Sequence, residues 1–116
     1  MTKQLFPAIA ALLLAGCSAW TAIDADSKVF NETDQTATVE ISLTNEDGEI
    51  VYRETITAAP RNLTYGEKIQ APAGTYIIRA QSGPHEIEET HDLGRENPSI
   101  EIFIRPDGLM IGISIT

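Results

Sequence analysis

From Lys28 onward the apolar residues of this chain recur with a period of two, not 3.6, and that alternation restricts it to strands. Ala37, Val39, Ile41 and Leu43 alternate with Thr38, Glu40 and Ser42, which predicts a half-buried strand. Asn45-Glu46-Asp47-Gly48 is turn chemistry, with a glycine free to take a positive φ. Ile50, Tyr52 and Ile56 then alternate with Glu49, Arg53 and Thr55 as the hairpin partner, until Ala58-Ala59-Pro60 ends it. Leu63 to Ile69 reads as a weak strand broken by Gly66, and Thr75 to Ala80 as a stronger one between the turns Ala71–Gly74 and Ser82–Pro84. Glu86 to Leu93 is the most polar candidate strand, which predicts an edge position, where charge blocks edge-to-edge pairing. The clearest pattern comes last. Ile100, Ile102 and Ile104 alternate with Glu101 and Phe103, Pro106-Asp107-Gly108 reverses the chain, and Leu109, Ile111, Ile113 and Ile115 return. Seven or eight short strands, with turn signals at regular spacing, predict an all-β antiparallel sandwich.

The first 16 residues differ from all of this. Lys3 gives a short positive start, and Leu5 to Ala15 is apolar apart from Pro7. A run of about eleven residues falls within the ~7–15 of a secretory h-region and short of the ~20 that cross a bilayer. Leu14-Ala15-Gly16-Cys17 then resembles the lipobox of prokaryotic lipoproteins. The resemblance implies a signal helix over 1–16, cleavage between Gly16 and Cys17, and a lipid in thioether linkage on the Cys17 sulfur. Two acyl chains hold a protein stably at a membrane where one does so only marginally. Cys17 is also the only cysteine, so an intramolecular disulfide is ruled out and the domain must stand on core burial alone.

The expected organisation is a signal peptide over 1–16, a lipidated cysteine and tether over 17–27, and one sandwich domain over 28–116. Loss of Lys3 with the signal would leave 7 basic and 17 acidic residues, a net charge of −10. Such a balance excludes nucleic acid as a partner, because phosphate binding needs clustered Lys and Arg. It also disfavours electrostatic docking on anionic lipid. The acidity fits either an ordinary solvated surface or adaptation to high salt, in which carboxylates outnumber lysines. Trp20 suits the lipid–water interface near the anchor and equally the first packed position of the domain.

A family resemblance spans nearly the whole chain after Gly16. Val29-Phe30-Asn31, the hairpin around Asp47-Gly48, Pro72-Ala73-Gly74-Thr75-Tyr76 and the hairpin around Asp107-Gly108 run in an order that resembles the small immunoglobulin-like sandwich lipoproteins of haloarchaea. Pro-x-Gly-Thr-Tyr also resembles transthyretin-like (prealbumin-like) and carboxypeptidase regulatory-like modules. The resemblance implies a fold and an address, not an activity. Thr2-Lys3-Gln4 departs from the twin-arginine signal of many haloarchaeal lipoproteins, so archaeal and bacterial sources both stay open.

Candidate chemistry is sparse. His85 and His91 are metal-ligand residue types on one strand face, but ~20 Å apart at ~3.3 Å per residue, too far to share an ion. Adjacent carboxylates such as Glu88-Glu89 point to opposite strand faces. Neither a Gly-x-Ser-x-Gly nucleophile elbow nor a phosphate-binding glycine loop occurs, and an enzyme is not expected. No cofactor is expected either. Asn31-Glu32-Thr33 and Asn62-Leu63-Thr64 are sequons, which makes Asn31 and Asn62 candidate glycan acceptors.

The expected role is therefore non-catalytic binding or structure in the cell envelope. Cys17 would hold the protein at the external face of the membrane, or at the outer membrane if the source is a diderm bacterium. Loops Glu46–Gly48, Arg61–Gly66 and Gly94–Pro98 would meet an envelope protein partner. The alternative is a small metal- or solute-binding surface protein that uses His85 and His91.

Overall fold

The computed structural model describes residues 22–94 and 97–115. The expected signal helix, the cleavage site at Gly16 and Cys17, and Trp20 lie outside the described residues. Among those described, the chain forms nine strands and no helix: β1 (Ala22–Asn31), β2 (Ala37–Thr44), β3 (Ile50–Ala58), β4 (Leu63–Tyr65), β5 (Ile69–Pro72), β6 (Gly74–Ser82), β7 (His85–Leu93), β8 (Pro98–Arg105) and β9 (Gly108–Ile115).

They make a two-sheet β-sandwich. One sheet runs β4-β1-β8-β9, with β5 pairing β1 beside β4, and the other runs β3-β2-β6-β7. All neighbours are antiparallel except β1 and β8. Of the two sandwich types expected, the immunoglobulin order does not apply. There the first and second strands share a sheet, whereas here β1 and β2 lie in different ones. β7, the acid-rich strand, does lie at an edge.

The core is the set of inward-facing alternate residues. Val39, Ile41 and Leu43 of β2 face Val29 of β1 and Ile100 and Ile102 of β8, and all six are 0% exposed. Each such side chain contributes roughly 1.5–3 kcal/mol by leaving water, which has to suffice in a chain without a disulfide.

Two expectations about the strands need correction. Residues 22–27 were expected to be tether, but Ala22–Ser27 are strand. Ile23, Ala25 and Ser27 point into the core, and Ala22–Ala25 pair with Pro72–Ile69. Alternation through alanine and serine carries little hydrophobic contrast, which hid this half of β1. The weak strand over Leu63–Ile69 is in fact the two short strands β4 and β5. Between them Gly66 touches β1, its amide donating to the Ser27 carbonyl at 2.9 Å.

Tyr52 and Glu54, on the inner face of β3, seal that side of the sandwich. The Glu54 carboxylate accepts the Tyr52 hydroxyl and the Glu67 amide, while Ser27 Oγ donates to the Glu67 carbonyl at 3.1 Å.

Candidate functional site

Strand alternation fixes what the first sheet shows to solvent. Because Val29 and Asn31 of β1 and Ile102 and Ile104 of β8 point inward, Lys28, Phe30, Glu101, Phe103 and Arg105 point outward. The register then lines up apolar residues from four strands. Phe30 lies opposite Leu63 of β4 and Phe103 of β8, and Phe103 lies opposite Met110 of β9. The row Leu63–Phe30–Phe103–Met110 thus crosses the sheet on its outer face.

The row is open to solvent. Leu63 is 47% exposed, Phe30 39% and Met110 37%. The two rings meet edge to face, with centroids 6.2 Å apart and planes at 63°. Charged groups rim it on both sides. Below, Lys28 Nζ stands 3.9 Å from the Glu101 carboxylate and 5.7 Å from the centre of the Tyr65 ring. Above, the Arg105 guanidinium lies 5.8 Å from the Phe103 centroid, and its Nε donates to Glu32 at 3.1 Å. Gly112 of β9 lies beneath the Phe103 ring, where a Cβ would make ordinary contact with it at 3.4 Å. Lys28, Phe30, Leu63, Glu101 and Phe103 enclose a shallow groove of about 190 Å³. An apolar strip with a polar rim is the composition of a protein-binding patch.

A second concavity, about 610 Å³, opens at the end of the sandwich away from Ala22. Its walls are the 33–38 segment, the Ser82–His85 turn and residues 104–106, a mixture of polar side chains and apolar ones such as Ala37, Pro84, Ile104 and Pro106. The ions nearby are already paired: Arg61 donates to Asp34 at 2.6 Å, and Arg105 to Glu32.

The histidines are not brought together. His85 lies beside that concavity, whereas His91, six residues further along the continuous strand β7, shares a 2.8 Å bond with Glu89. Among the described residues no group of three or more His, Cys, Asp or Glu side chains is placed to hold a metal ion.

The two sequons fare differently. Asn31, expected as a glycan acceptor, is fully buried, and the correction follows from its bonds. Its Nδ2 donates to the carbonyls of Gln35 (2.8 Å), Ala58 (3.1 Å) and Ala59 (3.2 Å), while its Oδ1 accepts the Thr33 amide and hydroxyl. An amide nitrogen so engaged has no room for a sugar. Asn62 is exposed, and its side chain donates to the Pro60 carbonyl at 3.2 Å.

Of the loops expected to meet partners, Glu46–Gly48 lies at the same end of the sandwich as Ala22, and Arg61 at the other. Thr44 pairs with Ile77 and Gly74 adjoins Pro72, the partner of Ala22, whereas Asn62 bonds to Asn31 at the far end of β1. The exposed row was missed, although one signal was present: Phe103 alternates with isoleucines on the side where polar residues belong.

No known protein family matches the sequence, and no curated protein matches it either. Among solved structures the chain is similar to sea bream transthyretin in complex with thyroxine, at 13% sequence identity and a TM-score of 0.45, over 79% of this chain and 95% of that one.

Proposed function

We propose that this chain is a lipid-anchored β-sandwich of the cell envelope, held at the external face of the membrane by Cys17. It works without catalysis, by docking an envelope protein on the outer face of the β4-β1-β8-β9 sheet. The row Leu63–Phe30–Phe103–Met110 carries this reading, because a monomeric soluble surface has no need of four aligned apolar side chains on strands.

Two arguments favour a protein over lipid as the occupant. The five chain steps from a lipidated Cys17 to Ala22 reach at most about 18 Å. Phe30 lies about 26 Å further along β1, so the strand can carry the row away from the bilayer. The chain's net charge of −9 also opposes close approach to anionic headgroups. In a diderm bacterium, Ser18 after the lipidated cysteine would send the protein to the outer membrane.

Capture from solubilised membranes tests this, comparing wild type, Phe30→Ser/Phe103→Ser and the control Glu88→Gln on the other sheet. A partner retained by wild type and control, and reduced at least tenfold by the double variant, is the expected result. Equal capture by all three, or a Cys17 peptide without lipid mass, contradicts the reading.

A further inference from the structure

An N-linked glycan replaces one of the two amide hydrogens of an asparagine and adds a bulky, hydrated group. A folded sequon can carry one only if a hydrogen is to spare and the nitrogen meets water. The two sequons of this chain are neighbours, since the Asn62 carbonyl accepts the Asn31 amide at 3.0 Å, yet they meet those demands differently. At Asn31 the carbonyls of Gln35, Ala58 and Ala59 already share the two hydrogens of a fully buried Nδ2. At Asn62 the exposed side chain is bonded, among the described residues, through Nδ2 to the Pro60 carbonyl alone. One hydrogen holds that bond and the other can be replaced.

The backbone presents Asn62 as well. Arg61 takes the left-handed conformation, with φ 60, and turns the chain from β3 towards β4. Asn62 extends the β4 ladder, so by strand alternation its side chain leaves on the side opposite Leu63. A glycan there stands clear of the apolar row, at the end of the sandwich away from Ala22. β4 is three residues long, ends its sheet, and exposes Leu63 and Tyr65. The sequon can therefore lift into an enzyme without opening the core.

We infer that Asn62 carries an N-linked oligosaccharide in the mature protein and that Asn31 carries none. The inference rests on the export proposed above, because the sugar donor is an oligosaccharide linked to a lipid phosphate at the membrane. Asn62 Nδ2 displaces that phosphate from the anomeric carbon. The C1–O bond breaks, the C1–N bond forms, and the amide proton leaves with the phosphate. Folding keeps Asn31 bare. Its partners Ala58 and Ala59 lie 27 and 28 residues further along, and a sugar on Nδ2 would take a hydrogen from those buried bonds and block the closing of the core. A chain modified there is lost from the folded population.

Peptide mass spectrometry of the full-length protein, purified folded from the membranes of its own host, tests this. The Asn62 peptide is expected to carry whole-sugar mass increments in most chains, and the Asn31 peptide none. Asn62→Gln and Thr64→Val should each lower the occupancy at least tenfold, whereas Thr64→Ser, which restores the sequon hydroxyl, should keep it. Melting temperatures of the variants made without sugar should stay within a few degrees of wild type, so that loss of sugar is not loss of fold. The Cys17 peptide of the same digest reads the anchor separately. Lipid on Cys17 with a bare Asn62 overturns the inference and leaves the export reading standing, while absence of both contradicts both. Sugar on Asn31 of the folded protein, or increments that survive Thr64→Val, also overturn it.

Discussion

Phe30 and Phe103, side by side on the parallel strands β1 and β8, touch edge to face on the side of the sheet that the core does not use. Their contact is therefore weakly coupled to stability. A cross-strand aromatic pair of this kind contributes about 0.5–1.5 kcal/mol. Phe103→Ser forfeits that and the burial of a ring only partly open to water, so it is expected to cost about 1–2 kcal/mol in denaturant unfolding. Ile102→Ala, one residue away and facing inward, should cost ~2–5 kcal/mol. A Phe103 variant as damaging as the Ile102 variant would make the row structural.

Asn31 gives the opposite case, a polar side chain inside the fold. Its amide bridges the end of β1 to the carbonyls that close β3 and to the 31–36 turn. Each buried group left without a partner costs about 1–3 kcal/mol. Asn31→Asp removes the donor and sets an acceptor against those carbonyls, so it should destabilise by more than ~2 kcal/mol, whereas Asn62→Asp on the surface should change stability by less than ~0.5 kcal/mol. Equal effects in thermal melts would contradict this account of Asn31.

Gly66 is required by space rather than by φ. A Cβ there would collide with Ser27 Oγ, and would stand 2.7 Å from Glu54 Oε1 and 2.8 Å from Ile56 Cδ1. Gly66→Ala should cost roughly 1–3 kcal/mol through overpacking. Gly74→Ala, with nothing within 4 Å of the new methyl, is the matched control and should be close to neutral.

Burial first, and then the hydrogen bond to Glu54, hold the Tyr52 phenol above its ordinary pKa of 10.0. The folded chain thus keeps a proton that the unfolded chain releases. The stability this confers is complete below pH 10.0 and is lost as pH rises beyond it. The slope is at most ~1.4 kcal/mol per pH unit, and less for a group still partly open to water. Between about pH 10 and 12, wild type should lose stability faster than Tyr52→Phe; parallel curves would contradict the assignment.

Strand positions were legible because alternation survives wherever isoleucine, valine or leucine faces threonine or glutamate. Both hairpins, around Asp47-Gly48 and Asp107-Gly108, pair as their turns predict. Legibility failed where inward positions are small or polar. Ala25, Ser27 and Asn31 are all buried on β1, yet they read as tether and as a sequon. The row was half legible: Phe103 stood out in its own strand, but its neighbour Phe30 lies 73 residues earlier in the chain, and their parallel pairing leaves no local trace.

Whether the row is covered in its native setting can be measured directly by oxidative footprinting of Phe30, Phe103 and Met110. Cells carrying the wild-type protein would be compared with the purified protein. Modification of all three should fall severalfold in cells, while Ile50 and Val51, exposed on the other sheet, react equally in both. Equal modification of the row in cells and in purified protein would mean that nothing docks there, and the proposed function would be wrong.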